Sequence, residues 1–133
     1  MIAKEVYALL RDHIRSYESL EVLLLLRRER TMWTAEALCA HLKARAPLID
    51  SALATLVRAG LVNATDQTLQ ALYTYAGDDP ARDAIVGSLD RLYRDERIEI
   101  VQLMSANAIE RLRTSTIRAL ADAFILKKDN DRG

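Results

Sequence analysis

The side chains best able to carry out acid–base, redox or metal chemistry are few, and they form no recognisable motif. The chain has two histidines, His13 and His41, and one cysteine, Cys39. Neither histidine lies in a nucleophile, metal-binding or acid–base motif, and the sequence has no glycine-rich phosphate loop. One cysteine and two histidines do not supply the ligands of a zinc site. We therefore expect a protein that is not an enzyme and needs no metal or cofactor.

Composition and charge indicate one domain of mainly helical structure. Half of the 133 residues are hydrophobic, only four are glycine and two proline, and 5% are aromatic, which is typical of an α-rich fold. Nineteen basic and nineteen acidic side chains give a net charge of zero. The chain up to Val62 carries nine basic and seven acidic residues, and the remainder carries ten and twelve. This balance argues against tight DNA binding without excluding it.

Cysteine usage and hydropathy predict where the protein works. The single cysteine excludes an intrachain disulfide and fits a reducing cytoplasm, and its apolar neighbours predict a half-buried thiol. The apolar run 22–26 is too short to span a bilayer, and the N-terminus lacks the features of a signal peptide. We therefore expect a cytoplasmic protein.

Hydrophobic periodicity and capping residues predict six helices with one hairpin between the fourth and the fifth. Ser16 and Thr34 suit the N-cap position, Asp79-Pro80 suits a helix start, and Trp33 is expected to fill the core between helices. The second helix is apolar nearly all round, which is typical of a central helix. The predicted helices span about 2–14, 16–30, 34–44, 47–59, 80–104 and 107–126.

The second half of the chain contains two candidate joints. The apolar stripe weakens at Asp95–Arg97, where a helix bends or crosses solvent. Ser105-Ala106 is expected to separate two helices, because Asn107 and Glu110 then resemble a capping box. Residues 127–133 are polar and are expected to form a frayed tail.

The segment 48–62 carries the clearest pattern. Ile49, Leu53, Leu56 and Val57 form one apolar stripe of a helix, and Gly60 occupies the position where a helix end requires a left-handed residue. Residues 61–64 and 68–76 then alternate like the strands of a hairpin around a turn at 65–67. A helix that ends at a glycine and leads directly into a short apolar strand is the arrangement of a recognition helix followed by a wing.

This segment resembles the winged-helix DNA-binding domains, in particular the MarR-like bacterial transcriptional regulators, over roughly residues 16–76. The resemblance rests on Ile49, Leu53, Leu56, Gly60, Leu61 and Val62, with Trp33-Thr34-Ala35-Glu36-Ala37-Leu38 opening the preceding helix. It implies a mainly α fold with a small antiparallel β-hairpin. A winged helix-turn-helix would then be flanked by an N-terminal helix (1–14) and two C-terminal helices (79–126) in a single domain, 1–133.

The resemblance also implies which residues would contact double-stranded DNA. The outward positions of the recognition helix correspond to Asp50, Ser51, Ala54, Thr55 and Arg58. Ser51, Thr55 and Arg58 would read the groove, whereas Asp50 has the wrong charge to face phosphates. Lys43 and Arg45, just before this helix, would hold the backbone.

Two further features bear on DNA binding. No lysine or arginine occurs between Arg58 and Arg82, and Asp66 is expected at the tip of the wing, so the wing lacks a cation for the minor groove. Arg27, Arg28 and Arg30 end the second helix. They either contact phosphate or only complement the helix dipole in solvent.

The flanking helices are where MarR-type regulators pair, so the resemblance implies a homodimer. The candidate interface residues are Leu92, Ile100, Val101, Met104, Leu120 and Phe124. The alternative is that all of them pack within their own domain. A second function also stays open, because winged helices serve as protein-interaction modules without DNA binding.

Overall fold

The computed structural model describes residues 2–65 and 70–131, which form six helices and a two-stranded antiparallel ribbon. The predicted fold class is therefore confirmed. Of the predicted hairpin, Asp66, Gln67, Thr68 and Leu69 lie outside the described residues, as do 132–133 of the predicted tail. The elements are α1 (Lys4–Asp12), α2 (Tyr17–Glu29), α3 (Ala35–Leu42), α4 (Ala46–Arg58), β1 (Val62–Ala64), β2 (Tyr73–Tyr75), α5 (Pro80–Asp95) and α6 (Arg97–Asp131).

Helix α2 is the centre of the core, as its apolar sequence predicts. Its buried side chains cover most of its circumference and are Leu20, Val22, Leu23, Leu24, Leu25 and Leu26. Helix α4 and strand β2 pack against it. The Ser16 hydroxyl accepts a hydrogen bond from the Ser19 amide at 3.1 Å, which confirms the predicted N-cap. Burial of this continuous apolar surface is the main free-energy source of the fold.

Thr34 and Asp79 also cap the N-termini of their helices, as the sequence predicts. The Thr34 hydroxyl accepts a hydrogen bond from the Ala37 amide at 3.0 Å and begins α3. The Asp79 carboxylate accepts from the Ala81 amide at 3.0 Å and begins α5. Each side chain satisfies an amide that has no partner in the first turn of its helix.

The ribbon is shorter than the sequence predicts. Val62 pairs with Tyr75, and Ala64 pairs with Tyr73. Backbone hydrogen bonds continue for one position beyond each end, from the Ala76 amide to the Leu61 carbonyl at 3.0 Å and from the Thr65 amide to the Leu72 carbonyl at 2.9 Å. The Leu72 amide donates to the Thr65 hydroxyl at 2.9 Å and not to a backbone carbonyl.

A backbone contact that the sequence pattern does not reveal extends the ribbon on its other side. The Trp33 amide donates to the Tyr73 carbonyl at 2.9 Å, and the Tyr73 amide donates back at 2.8 Å. The Trp33 ring is only half-buried and meets His41 edge-on, with 5.3 Å between ring centroids. Trp33 therefore joins the ribbon to α3 as well as packing against the core.

The C-terminal helices divide at a different place from the predicted one. The chain leaves the helical conformation at Glu96 (φ −133°, ψ 50°), the weak point of the apolar stripe. The prediction of a joint at Ser105-Ala106 and of a new helix at Asn107 is wrong, because neither serine nor alanine breaks a helix and α6 runs through them. The predicted frayed tail is helical as far as Asp131.

Ion pairs attach α5 to the end of α2. Arg27 Nε lies 3.0 Å from Asp83 Oδ1, Arg28 Nε lies 3.2 Å from Asp90 Oδ1, and Arg30 lies 3.4 Å from Asp83. Asp90 is only 5% exposed, so its charge depends on these arginines. We call these five residues the α2–α5 ion-pair cluster.

A glycine of α5 gives the cluster its space. A Cβ atom on Gly87 would lie 2.8 Å from Arg27 Nη2. The arginine therefore crosses α5 where that helix has no side chain.

Tyr75 of the ribbon joins the cluster through its hydroxyl. This hydroxyl donates to Asp83 Oδ1 at 2.6 Å, and the guanidinium of Arg30 lies over the ring at 5.1 Å from its centroid. Burial, followed by the hydrogen bond to Asp83, raises the pKa of Tyr75 to about 12. The Tyr75 hydrogen bond, and then Arg27, lower the pKa of Asp83.

Replacing Tyr75 by phenylalanine is expected to make the free energy of unfolding fall less steeply as the pH rises into the alkaline range. A tyrosine titrates near pH 10 in an unfolded chain. Because the folded state raises the pKa of Tyr75, this residue stabilises the fold below pH 10, and its contribution to the free energy of unfolding is lost as the pH rises toward 12. The free energy of unfolding of the parent should fall by on the order of 2 kcal/mol more than that of Tyr75→Phe between about pH 9 and pH 11.5, measured by urea denaturation.

Tyr17→Phe is the matched control, because Tyr17 is exposed and its loss should leave the pH profile parallel to that of the parent. A constant difference in unfolding free energy between the parent and Tyr75→Phe over this range would contradict the prediction.

Candidate nucleic-acid interface

Helix α4 has one face in the core and one face in solvent. Ile49, Leu53 and Leu56 are buried to 1% exposure or less and pack toward α2 and α3. Val57, the fourth residue of the predicted stripe, is 37% exposed because it lies at the edge of the buried face. Pro47 in the first turn is compatible with a helix start, where its missing amide has no partner to lose. Gly60, with φ 77°, follows the helix in the predicted left-handed conformation. These features fix which side of α4 points outward.

The outward face of α4 contains the residues predicted to read DNA. Asp50, Ser51, Ala54 and Arg58 are exposed. Thr55 is half-buried, and its hydroxyl donates to the Ser51 carbonyl at 3.0 Å. The hydroxyl of Thr55 therefore retains only its acceptor lone pairs for a ligand.

The two predicted backbone-contacting cations lie just before α4. Lys43 ends α3 in a left-handed conformation (φ 54°), and Arg45 is the N-cap residue of α4. Both side chains are exposed. A left-handed lysine is uncommon because its Cβ crowds the backbone, so this turn would accept glycine.

A basic residue that sequence reasoning did not single out lies at the other end of α4. Arg15 shares a cleft of about 240 Å³ with His13 and Asp12 on one side and with Thr55 and Arg58 on the other. Arg15 directly precedes the N-cap of α2, so its only sequence signal is a charge in a loop. Its proximity to Arg58 comes from the fold.

The arginines at the end of α2 form ion pairs within the chain. Arg27, Arg28 and Arg30 are held by Asp83 and Asp90 of α5. This ion pairing is a third arrangement beside the two that the sequence suggests, and the side chains of Arg28 and Arg30 remain 47% and 53% exposed. The acidic partners lie more than fifty positions away in the chain, where local patterns give no indication of them.

Arg82 is also engaged in the fold. Its guanidinium donates to the carbonyls of Ala59 at 2.9 Å and Gly60 at 3.1 Å. These carbonyls lie at the C-terminal end of α4, so the first turn of α5 caps the helix. The first cation after the ribbon along the sequence is thus used to position α4.

Comparison with solved structures finds the same arrangement of helices and ribbon. HlyU from Vibrio cholerae has a TM-score of 0.54 and 23% identity, over 71% of this chain and 100% of that chain. Reduced HlyU has a TM-score of 0.52 and 24% identity, over 65% and 88%. A mutant of ZitR from Lactococcus lactis has a TM-score of 0.51 and 14% identity, over 86% and 78%. These proteins are winged-helix transcription regulators of the MarR/SmtB type.

The chain has the winged-helix fold. Within it, α4 occupies the position of the recognition helix and the β1–β2 ribbon occupies that of the wing. The resemblance to MarR-like winged helices stated from the sequence is confirmed at the level of the fold. No protein-family model and no curated protein matches the chain.

The winged helix carries its candidate interface residues in three environments. Ile100 and Met104 are buried in the core of their own chain, so their prediction as interface residues is wrong: they lie on the side of α6 that packs inward. Leu92 and Val101 are half-buried. Leu120 and Phe124, near the end of α6, are 67% and 71% exposed.

The described residues contain neither a metal-binding cluster nor a helix that could span a membrane. Residues 2–65 and 70–131 contain no group of three or more His, Cys, Asp or Glu side chains that could hold a metal ion. Over the same residues, no helix has the length and hydropathy to cross a bilayer.

Replacing Arg82 by methionine is expected to loosen the end of the recognition helix. The variant removes two hydrogen bonds to carbonyls that remain accessible to water, which costs about 1 kcal/mol. Amide hydrogen exchange should accelerate at Gly60 and Leu61, whose amides bond to the last turn of α4, and exchange in the middle of α2 should be unchanged.

Arg91→Met removes an exposed arginine from the same helix and is the matched control. Equal exchange at Gly60 and Leu61 in the parent and in Arg82→Met would show that Arg82 does not hold the helix end.

Proposed function

We propose that this winged helix is a DNA-binding transcription regulator that acts as a homodimer in the cytoplasm and catalyses no reaction. The observation that carries the proposal is the exposed face of α4, which presents Ser51 and Arg58 and is preceded by Lys43 and Arg45. The regulators HlyU and ZitR, which share the fold, support it.

The outer face of α4 suits the major groove. The groove is about 12 Å wide and accepts one α-helix. Ser51 and Arg58 are solvent-accessible donors on this face, and arginine binds guanine through two parallel hydrogen bonds. Thr55 contributes only an acceptor, which suits an exocyclic amino group of a base. Ala54 lets the helix approach the bases closely.

The charge distribution implies that contacts are made near the start of α4. Lys43 and Arg45 would each bind a phosphate, whereas Asp50 would repel one. No basic residue occurs between Arg58 and Arg82, and Arg82 binds carbonyls of its own chain. The proposal therefore assigns little phosphate binding to the wing and a modest overall dependence on salt.

The dimer rests on the far half of α6, a helix of 35 residues and about 52 Å. Its large apolar side chains are more than half exposed and recur at spacings of three to five residues on one side of the helix: Ile109, Leu112, Ile117, Leu120 and Phe124. A stripe of this kind is unfavourable in water and is covered when a second copy packs against it about a two-fold axis. Two such copies would present two α4 helices to successive turns of DNA.

Lys43→Gly is expected to weaken duplex binding and reduce its salt dependence. Glycine adopts the left-handed conformation of residue 43 without strain, so the fold is kept while the charge is lost. In a dimer the change removes two phosphate contacts, so the slope of log K against log salt should become shallower by about 2. Fluorescence anisotropy with a random duplex, titrated from about 50 to 200 mM salt, measures it.

Arg94→Gln removes the same charge from an exposed position on α5 and should leave the slope unchanged. The proposal is wrong when the parent binds no duplex at low salt, or when the two variants change the slope equally. Either result would favour a protein-interaction module.

Leu120→Glu combined with Phe124→Glu is expected to convert the dimer into a folded monomer. The paired glutamates place charges in the apolar stripe, where burial is costly. Sedimentation equilibrium measures the mass, and Asp122→Lys, a change of two charges at another exposed position of α6, should remain dimeric. A parent that sediments as a monomer, or a double variant that stays dimeric, would contradict the predicted interface.

A further inference from the structure

A basic groove lies between α1 and the middle of α6. It has a volume of about 670 Å³ and is lined by Tyr7, Arg11, Arg15, Asn107, Arg111 and Arg118, among others. Arg15 also lines the cleft beside Thr55 and Arg58. Glu110 is the one acidic residue that lines the groove, and Asp12 pairs with Arg11. Four guanidinium groups against these two carboxylates leave a positive charge in a chain whose net charge is zero.

We call this cavity the α1–α6 groove. Two of its arginines, Arg111 and Arg11, are held by contacts within their own chain. The Arg111 guanidinium donates to the Arg15 carbonyl at 3.3 Å, a contact that joins α6 to the loop after α1. Arg11 bonds to Asp12 at 2.9 Å and lies over the Tyr7 ring at 5.9 Å from its centroid. Anchored guanidinium groups lose less conformational entropy when they bind a ligand.

The groove and the apolar stripe of α6 occupy different faces of that helix. Asn107, Arg111, Thr114 and Arg118 follow one another at spacings of four, three and four, which keeps them on one face. At about 100° per residue, this face is rotated by roughly 160° from the stripe centred on Ile109 and Leu120. A second copy packed on the stripe therefore leaves the groove face open.

We propose that the α1–α6 groove binds a small molecule that carries two or more phosphate or carboxylate groups. Planar guanidinium groups bind such oxyanions through paired hydrogen bonds, and several of them around one groove favour a multivalent anion over a single charge. The volume falls within the usual range for small-molecule sites. The inference goes beyond the proposed function and does not depend on DNA binding.

Isothermal titration calorimetry of the full chain, with tripolyphosphate in one arm and citrate in the other, tests the site at about 150 mM salt. At least one probe should bind saturably with one site per chain. The tighter probe shows whether phosphate or carboxylate groups are preferred. Arg111→Gln combined with Arg118→Gln should weaken binding at least tenfold while circular dichroism shows an unchanged fold.

The matched control is Arg91→Gln combined with Arg94→Gln, which removes the same charge from α5 outside the groove. It should leave the affinity within about twofold. The inference is overturned when neither probe binds saturably, or when both double variants lose affinity equally, because the attraction would then be general. Duplex titrations of the same variants should match the parent, so a failure of DNA binding is seen separately from a failure of the groove.

Discussion

The arrangement of this winged helix depends on the α2–α5 ion-pair cluster. Helix α2 is the central apolar helix, and its last turn carries the arginines that Asp83 and Asp90 of α5 hold. Asp90 is buried, so removing its partners would leave an uncompensated charge in the core. The first turn of α5 binds the ribbon through the hydrogen bond from Tyr75 to Asp83 and holds the end of α4 through Arg82. Helix α5 thereby connects α2, α4 and the ribbon.

This use of charge inside the fold decides which cations remain for a ligand. The arginines of α2 and Arg82 bind carboxylates and carbonyls of their own chain, so we assign the proposed DNA contacts to Lys43, Arg45 and Arg58. A neutral chain exerts little long-range attraction on a duplex, and few phosphate contacts mean limited non-specific affinity. Selectivity would then come from the fit of α4 into the groove. The α1–α6 groove is a separate concentration of charge on another surface.

Local chemistry made much of the fold predictable. Ser16, Thr34 and Asp79 are capping side chains whose effect is complete within one turn, and Gly60 marks a backbone conformation that other residues resist. The outward residues of α4 followed from the resemblance to winged-helix domains. What failed depends on distant partners: Arg28 and Asp90 are 62 positions apart, and the contact of Trp33 with Tyr73 joins two segments without a shared pattern. The polar positions near Ser105 resembled a joint, yet α6 passes through them because no residue there prevents helix formation.

The central claim is that α5 reserves the arginines of α2 for the fold and leaves α4 as the surface for DNA. Amide chemical-shift mapping of the chain during titration with a short duplex tests it most directly, because it reports every element at once. The account predicts shifts concentrated between Lys43 and Arg58, with 27–30 at the end of α2 unaffected. A footprint centred on 27–30, with α4 unchanged, would contradict it.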